Sequence, residues 1–454
     1  MTVLNWQWLL VALSGLIFLL LSPVARNTQA FFSAASARGS QPGVFMLTSS
    51  LVISWIFAKS ITNAANLGLS FGLVGGVAYA VYYLSFIVAG IVIHQMRIRG
   101  GFTSIHHFLA TRFGHGAVVV FSLLVGFRLY NEVWSNTMVI GSYFGAAGSA
   151  NYYGSILLFT GLTLAYTLKG GLRSSMLTDV IQMVLFGLLL FVVLGLILPK
   201  TGGGISTYLH SGEWTMATGL NLAVVAFIQI FSYPFHDSVM TDRGFISDPK
   251  VTLRSFLWAA PIGFVCIVLF SFVGIYAQAV GLEGQAPVEV SKVLGVGAML
   301  VMNFIMITSA GSTLDSAFSS AAKLVVKDLG ASRPPTVLRG RIVMALFAVA
   351  GTLPIFANPE ILSATTVSGT MVLGLAPVFL LWRWQAAGAW SFHLAVGVGV
   401  VLGLLLALGL VPASWVFFSG KYGDLLSVNI IGTVLCFVLF AIPLIIKKSF
   451  NAKE

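Results

Sequence analysis

Long apolar runs alternate with short polar connections along the whole chain. A membrane-spanning helix needs about 20 mostly apolar residues. Thirteen runs meet that need: 6–23, 43–67, 71–96, 115–146, 152–168, 176–199, 219–241, 254–281, 290–326, 338–357, 361–384, 388–411 and 426–446. The two longest, 115–146 and 290–326, predict helices that tilt or extend past the hydrocarbon. The pattern therefore predicts an all-α polytopic membrane protein of about thirteen spans.

Composition agrees with lipid as the main solvent. The 454 residues are 58% hydrophobic and 8% charged, whereas a soluble domain carries about 25% charged residues. The net charge of +11 has two readings, nucleic acid or the positive-inside bias of membrane proteins. With the N-terminus outside, the connections and tail on the inner side hold nineteen Lys and Arg, Arg38, Arg333, Lys447, Lys448 and Lys453 among them. The outer side holds Lys200, Lys292 and Lys421. That asymmetry selects the membrane reading, excludes a nucleic-acid partner and predicts a multi-pass plasma-membrane protein (a bacterial inner membrane) with a cytoplasmic C-terminus. The first run has no basic residue before it, which predicts a retained helix rather than a cleaved signal. Cys266 and Cys436 lie in apolar runs and form no metal-type spacing. No phosphate-binding loop, catalytic constellation or cofactor motif is visible, which argues against an ATP-driven pump or an enzyme.

Ionisable residues inside apolar runs are costly and face a bundle interior or a water-filled cavity. Lys59, Arg128, Glu132 and Asp237 stand out, with Asp179 and Asp315 nearer the ends of their runs. Arg128 and Glu132 are four apart, so they share a helix face and can pair, as structural support or as part of a pocket. Lys59 has no local acid, and its expected partner is Asp237 on another span. His236 reads either as a satisfied core residue or as a proton carrier. In FSYPFHDSVMTDR (231–243), Pro234 removes a helical hydrogen bond beside a polar cluster, the mark of a discontinuous or kinked helix. The run 43–67 has no Gly or Pro at its centre and on its residues alone reads as unbroken. In 290–326, Ser309, Ser312, Thr313 and Ser316 form one hydroxyl stripe, suited to a hard monovalent cation or to helix packing.

The stretch YTLKGGLRSSMLTDVIQMVLF (166–186) resembles the signature of the sodium:solute symporter family. Tyr166, Thr167, Gly170, Gly171, Leu172, Thr178, Asp179 and Gln182 carry the likeness. GGFTSIHHFLATRFG (100–114) is similar to a loop of that family, with His106 or His107 in place of its acid, and GSTLDSAFSSAAKLVVKDL (311–329) to its eighth core helix. The spacing of Asp237 and Arg243, Trp55 with Asn66, and the run 308–312 resemble the urea active transporter branch. Lys59 departs from the family's pattern.

The resemblance implies a leucine-transporter-type fold of two inverted five-helix repeats, at 43–199 and 219–384. An N-terminal helix and loop (1–42) would precede them, and two helices and a tail (385–454) would follow. Helices 43–67 and 219–241 would be the broken ones. It implies a sodium site of backbone carbonyls at Ile53, Ile56 and Ser309 with side-chain oxygens of Ser312 and Thr313, and Asp179 on the cation's path. Lys59 and Asp237 would line a solute pocket, with Trp55, Asn63, Tyr233 and His236 as further lining and Arg128 with Glu132 as a supporting pair. The expected activity is cation-coupled symport of a small organic solute by alternating access, with Na+ as the coupling ion and no cofactor. A proton-driven urea- or amide-like transporter and a solute sensor of the same fold are the alternatives. Neither the solute nor the oligomeric state follows from the sequence.

Overall fold

The structure, a computed structural model, describes residues 2–33, 41–330 and 334–451. Arg38, Arg333 and Lys453, counted above as inner-side charges, lie outside the described residues, as do the side chains of Lys447 and Lys448. The described secondary structure is helical throughout. Nine described helices are long and apolar enough to cross a membrane, ten when one bent pair counts as a single span.

Thirteen runs exceed ten helices for reasons that lie in the backbone. The runs 152–168 and 176–199 fall on one element, Ala150–Ile197, which kinks at Gly171 (φ 57°, ψ −144°). The run 219–241 divides into the helix Leu220–Gln229, a 3-10 turn Tyr233–His236 that begins at Pro234's neighbour, and the short helix Ser238–Arg243. The run 361–384 divides into Ser363–Met371 and Leu375–Leu380.

The bent pair is Val44–Trp55 and Ala58–Phe71, which meet at 58°. Neither Gly nor Pro causes this break. Ile56 (φ −78°, ψ 69°) and Phe57 (φ −61°, ψ 149°) leave the helical region. Side chains from three other helices take over the freed backbone groups. Tyr83 donates its hydroxyl to the Trp55 carbonyl at 2.7 Å, Ser309 donates to the Ile56 carbonyl, and the Lys59 amide donates to Asn136 Oδ1 at 3.1 Å. The break, unreadable from local residues, is thus fixed by tertiary partners. The second break is capped locally. Asp237 Oδ1 accepts from the Met240 amide at 3.0 Å and so starts the helix Ser238–Arg243.

The Val296–Lys323 helix lies at the centre, buried at every position from Ile305 to Ala322. It packs along Ala150–Ile197 and against His115–Ser142, and carries the hydroxyl stripe inward. Elsewhere helices meet backbone to backbone. A Cβ on Gly274 would sit 1.7 Å from the Ala65 carbonyl oxygen, and one on Gly68 2.2 Å from that of Ser271. Small residues of this kind let membrane helices approach closely.

At the Ala150–Ile197 kink, an added methyl on Gly171 would stand 2.5 Å from the Phe31 carbonyl, in a backbone conformation that L residues avoid. Gly171→Ala is expected to lower stability by about 1–3 kcal/mol, read as an earlier thermal unfolding midpoint in detergent. Gly161→Ala, in open space on the same helix, should leave that midpoint in place.

Candidate functional site

Two buried polar clusters flank the break at Ile56. The first is built of oxygens. Ser309 hydroxyl reaches the Ile56 carbonyl, Thr313 Oγ1 donates to the Ser309 carbonyl at 3.0 Å, and Ser312 Oγ donates to Asp179 Oδ1 at 2.5 Å. Ile53 is fully buried on the last turn before the break. The expected cation ligands Ile56, Ser309, Ser312 and Thr313 therefore converge, and Asp179 touches the set directly through Ser312. Each hydroxyl is both donor and acceptor, so the same groups can turn lone pairs toward a cation.

Asp179 has further partners. Ser50 Oγ donates to its Oδ2 at 2.5 Å, and Arg243 Nη2 lies 3.0 Å from the same oxygen. The Arg243 guanidinium also contacts Ser50 Oγ at 2.6 Å, Ser316 Oγ at 2.9 Å and Ser54 Oγ at 3.2 Å. A second buried acid adjoins this group: Asp315 accepts from Ser175 at 2.6 Å and from Tyr166 and Thr178 at 3.0 Å. Arg243 was not a site residue in the sequence reading. Its guanidinium arrives from the end of the second broken helix, where an arginine ordinarily reads as an inner-side topology charge. Its place six residues beyond Asp237 on an interrupted span was the available signal.

The second cluster is ionic. Lys59 Nζ donates to Glu132 Oε1 at 2.7 Å, correcting the expected Lys59–Asp237 pair. Asp237 belongs instead to Arg128, whose Nη2 lies 3.2 Å from Oδ2, and to Trp55, whose indole N–H donates to the same oxygen at 3.0 Å. Arg128 also pairs with Glu132 one turn along its own helix, as the spacing predicted. Asn136 completes the group, donating to Glu132 Oε2 at 3.0 Å. The physical reason for the exchange is reach. Ala58–Phe71 packs on His115–Ser142, so Lys59 meets the acid on that helix first.

Aromatic rings wall this network. Phe57 lies under both cations, 4.9 Å from Lys59 Nζ and 5.2 Å from the Arg128 guanidinium carbon. Tyr233 stands 5.1 Å from Arg128, with its ring edge-on to Trp55 and to His236. Trp55, Lys59, Tyr233, His236 and Asp237 are thus brought together with Arg128 and Glu132. Asn63 is not. It lies a turn away beside Tyr79, at 3.4 Å, and lines a cavity of about 430 Å³ with Asn66, Asn358 and Tyr422. At the opposite end of the bundle, Thr103, His106, Asp242, Lys323 and Asp328 line a cavity of about 420 Å³. There Lys323 pairs with Asp242. Burial lowers the His106 imidazole below its ordinary range, with Asp328 opposing the shift from 3.7 Å.

The fold recurs in solved transporters. The chain superposes on a Na+-coupled sialic acid symporter in a substrate-bound outward-open state with a TM-score of 0.71, 16% identity and coverage of 97% of this chain and 96% of that one. A nucleobase-cation-symport-1 family transporter in a closed conformation with bromovinylhydantoin bound gives 0.58 at 15% identity, covering 93% and 94%. MhsT in complex with L-phenylalanine gives 0.55 at 13% identity, covering 87% and 97%. At such identities the likeness is one of fold, and the fold is the leucine-transporter type. Residues 37–239 match the sequence profile of the sodium:solute symporter family.

The ionic network makes a stability prediction. Removing one partner of a buried pair costs about 3–5 kcal/mol, because the other charge stays buried. Lys59→Met and Glu132→Gln should each lower the unfolding midpoint in detergent. The double variant should be more stable than the sum of the two losses predicts. Strict additivity in that cycle would mean that the two side chains do not interact.

Proposed function

We propose that this chain carries out sodium-coupled symport of a small organic solute across the plasma membrane, with its N-terminus outside. The observation that supports it most is the convergence of the Ile56 carbonyl, Ser309, Ser312 and Thr313 where the first broken helix meets the Val296–Lys323 helix. These are hard oxygen ligands at a break in a membrane helix, where freed carbonyls can coordinate Na+. The cation would be held by carbonyls of Ile53, Ile56 and Ser309 with hydroxyls of Ser312 and Thr313. Asp179, hydrogen-bonded to Ser312, would receive it on the way in. The solute would bind beside Trp55, Lys59, Tyr233, His236 and Asp237, with Arg128 and Glu132 supporting the pocket and Asn63 at its approach.

Coupling then follows from one segment. Ile56 would touch the cation, while Trp55 and Lys59, one and three residues away, hold the ionic network through Asp237 and Glu132. Filling the cation site fixes the break and so fixes the pocket wall. By linkage, the solute must tighten the cation by the same factor. The buried carboxylates Asp179 and Asp315 favour a second reading, in which a proton drives transport.

Uptake of a radiolabelled solute panel into proteoliposomes, with sodium and proton gradients imposed separately, decides between them. Sodium-driven accumulation is the expected result, and accumulation driven only by protons would discard the sodium site. Ser312→Ala with Thr313→Ala should weaken the apparent sodium affinity about tenfold or more, equal to about 1.4 kcal/mol of lost coordination. An unchanged sodium affinity in a variant that still inserts would remove these residues from the site.

A further inference from the structure

Charge balance constrains the solute beyond the reading just given, on which this inference rests. Four ionisable side chains are buried together between the two broken helices: Lys59 at 0% exposure, Arg128 at 1%, and Glu132 and Asp237 at 3%. Their ion pairs are with one another: Lys59 to Glu132, Arg128 to Glu132 and Arg128 to Asp237. Two positive and two negative groups sum to zero. The Lys59 ammonium, which taken alone suggests an anchor for an anion, is already neutralised by Glu132. A solute with net charge would leave one buried charge uncompensated, and burying an unpaired charge is strongly unfavourable.

Unused polar atoms adjoin this network. His236 Nδ1 lies 2.5 Å from the Tyr233 carbonyl. A carbonyl only accepts, so Nδ1 carries the ring proton, and Nε2 is left as an acceptor. Among the described residues, His236 Nε2 and Arg128 Nε have no hydrogen-bond partner, although both are buried. Both residues pack on the Tyr233 ring, Arg128 at 5.1 Å and His236 at 4.8 Å from its centre. Arg128 Nε is therefore an unused donor and His236 Nε2 an unused acceptor beside this network, in which each charge has an opposite partner.

We infer that the pocket selects a solute of zero net charge that presents an acceptor to Arg128 Nε and an N–H or O–H donor to His236 Nε2, as a carboxamide does. The ionic network excludes monovalent anions and cations of the same size. This selectivity is a property of the sum of the four charges, so altering one of them should shift it in a stated direction.

The test compares uptake of radiolabelled propionamide, propionate and propylammonium into proteoliposomes under an inward sodium gradient. Propionamide should accumulate at least tenfold faster than either ion. Glu132→Gln, which leaves one net positive charge, should shift the propionate-to-propionamide ratio at least tenfold toward propionate. Lys59→Met, which leaves one net negative charge, should shift selectivity toward propylammonium and serves if the first variant does not fold. Equal uptake of propionate or propylammonium by the unaltered protein would overturn the inference. So would failure of all three compounds to accumulate, or an unchanged ratio in a folded charge variant. Selective uptake of propionamide that ignores both sodium and proton gradients would sink the symport reading and leave this one standing.

Discussion

Hydrocarbon supplies no hydrogen bonds, so a helix that breaks inside it must find other protein groups for every backbone atom it releases. That constraint organises this structure. At the break between Trp55 and Ala58, the released groups are taken up by Tyr83, Ser309 and Asn136, each on a different helix. The break is therefore a junction. It exists because three neighbours complete it, and it holds those neighbours in register in return.

The two polar clusters grow from that junction in opposite directions. On one side lie hydroxyls and the Asp179–Arg243 pair, and on the other the Lys59–Glu132–Arg128–Asp237 network. The short segment 55 to 59 reaches both, the first through the Ile56 carbonyl and the second through Trp55, Phe57 and Lys59. Such compactness makes strong coupling between a cation and a solute physically reasonable without a long chain of intermediaries. It also places Arg243 and Asp237, which sit at the two ends of one short helix, in different clusters. Movement of that helix would be felt in both.

Much of this was legible in the sequence, and the remainder was not for identifiable reasons. Apolar run lengths marked the long helices, and Pro234 marked the second break. The four-residue spacing gave the Arg128–Glu132 pair, and the hydroxyl stripe gave the central helix. The first break left no local trace, because its cause is tertiary. Only a family likeness indicated it. Lys59 was matched to the wrong acid, since sequence supplies charges but not which helix faces which. Arg243 was overlooked because an arginine at the end of a span is usually a topology signal, and nothing local distinguishes one that turns inward. Asn63 matched by position, yet a turn of helix carries it to the cavity beside Tyr79.

The glycine contacts between Ala58–Phe71 and Pro249–Ala279 carry a mechanical consequence. Where Gly274 meets the Ala65 carbonyl and Gly68 meets that of Ser271, there is no layer of side chains to act as a lubricant. Sliding or rolling at such a crossing would drive backbone into backbone. These two helices are therefore locked to each other as one lever, and any change of angle between that lever and Val44–Trp55 would have to fall at residues 56 and 57, its fulcrum.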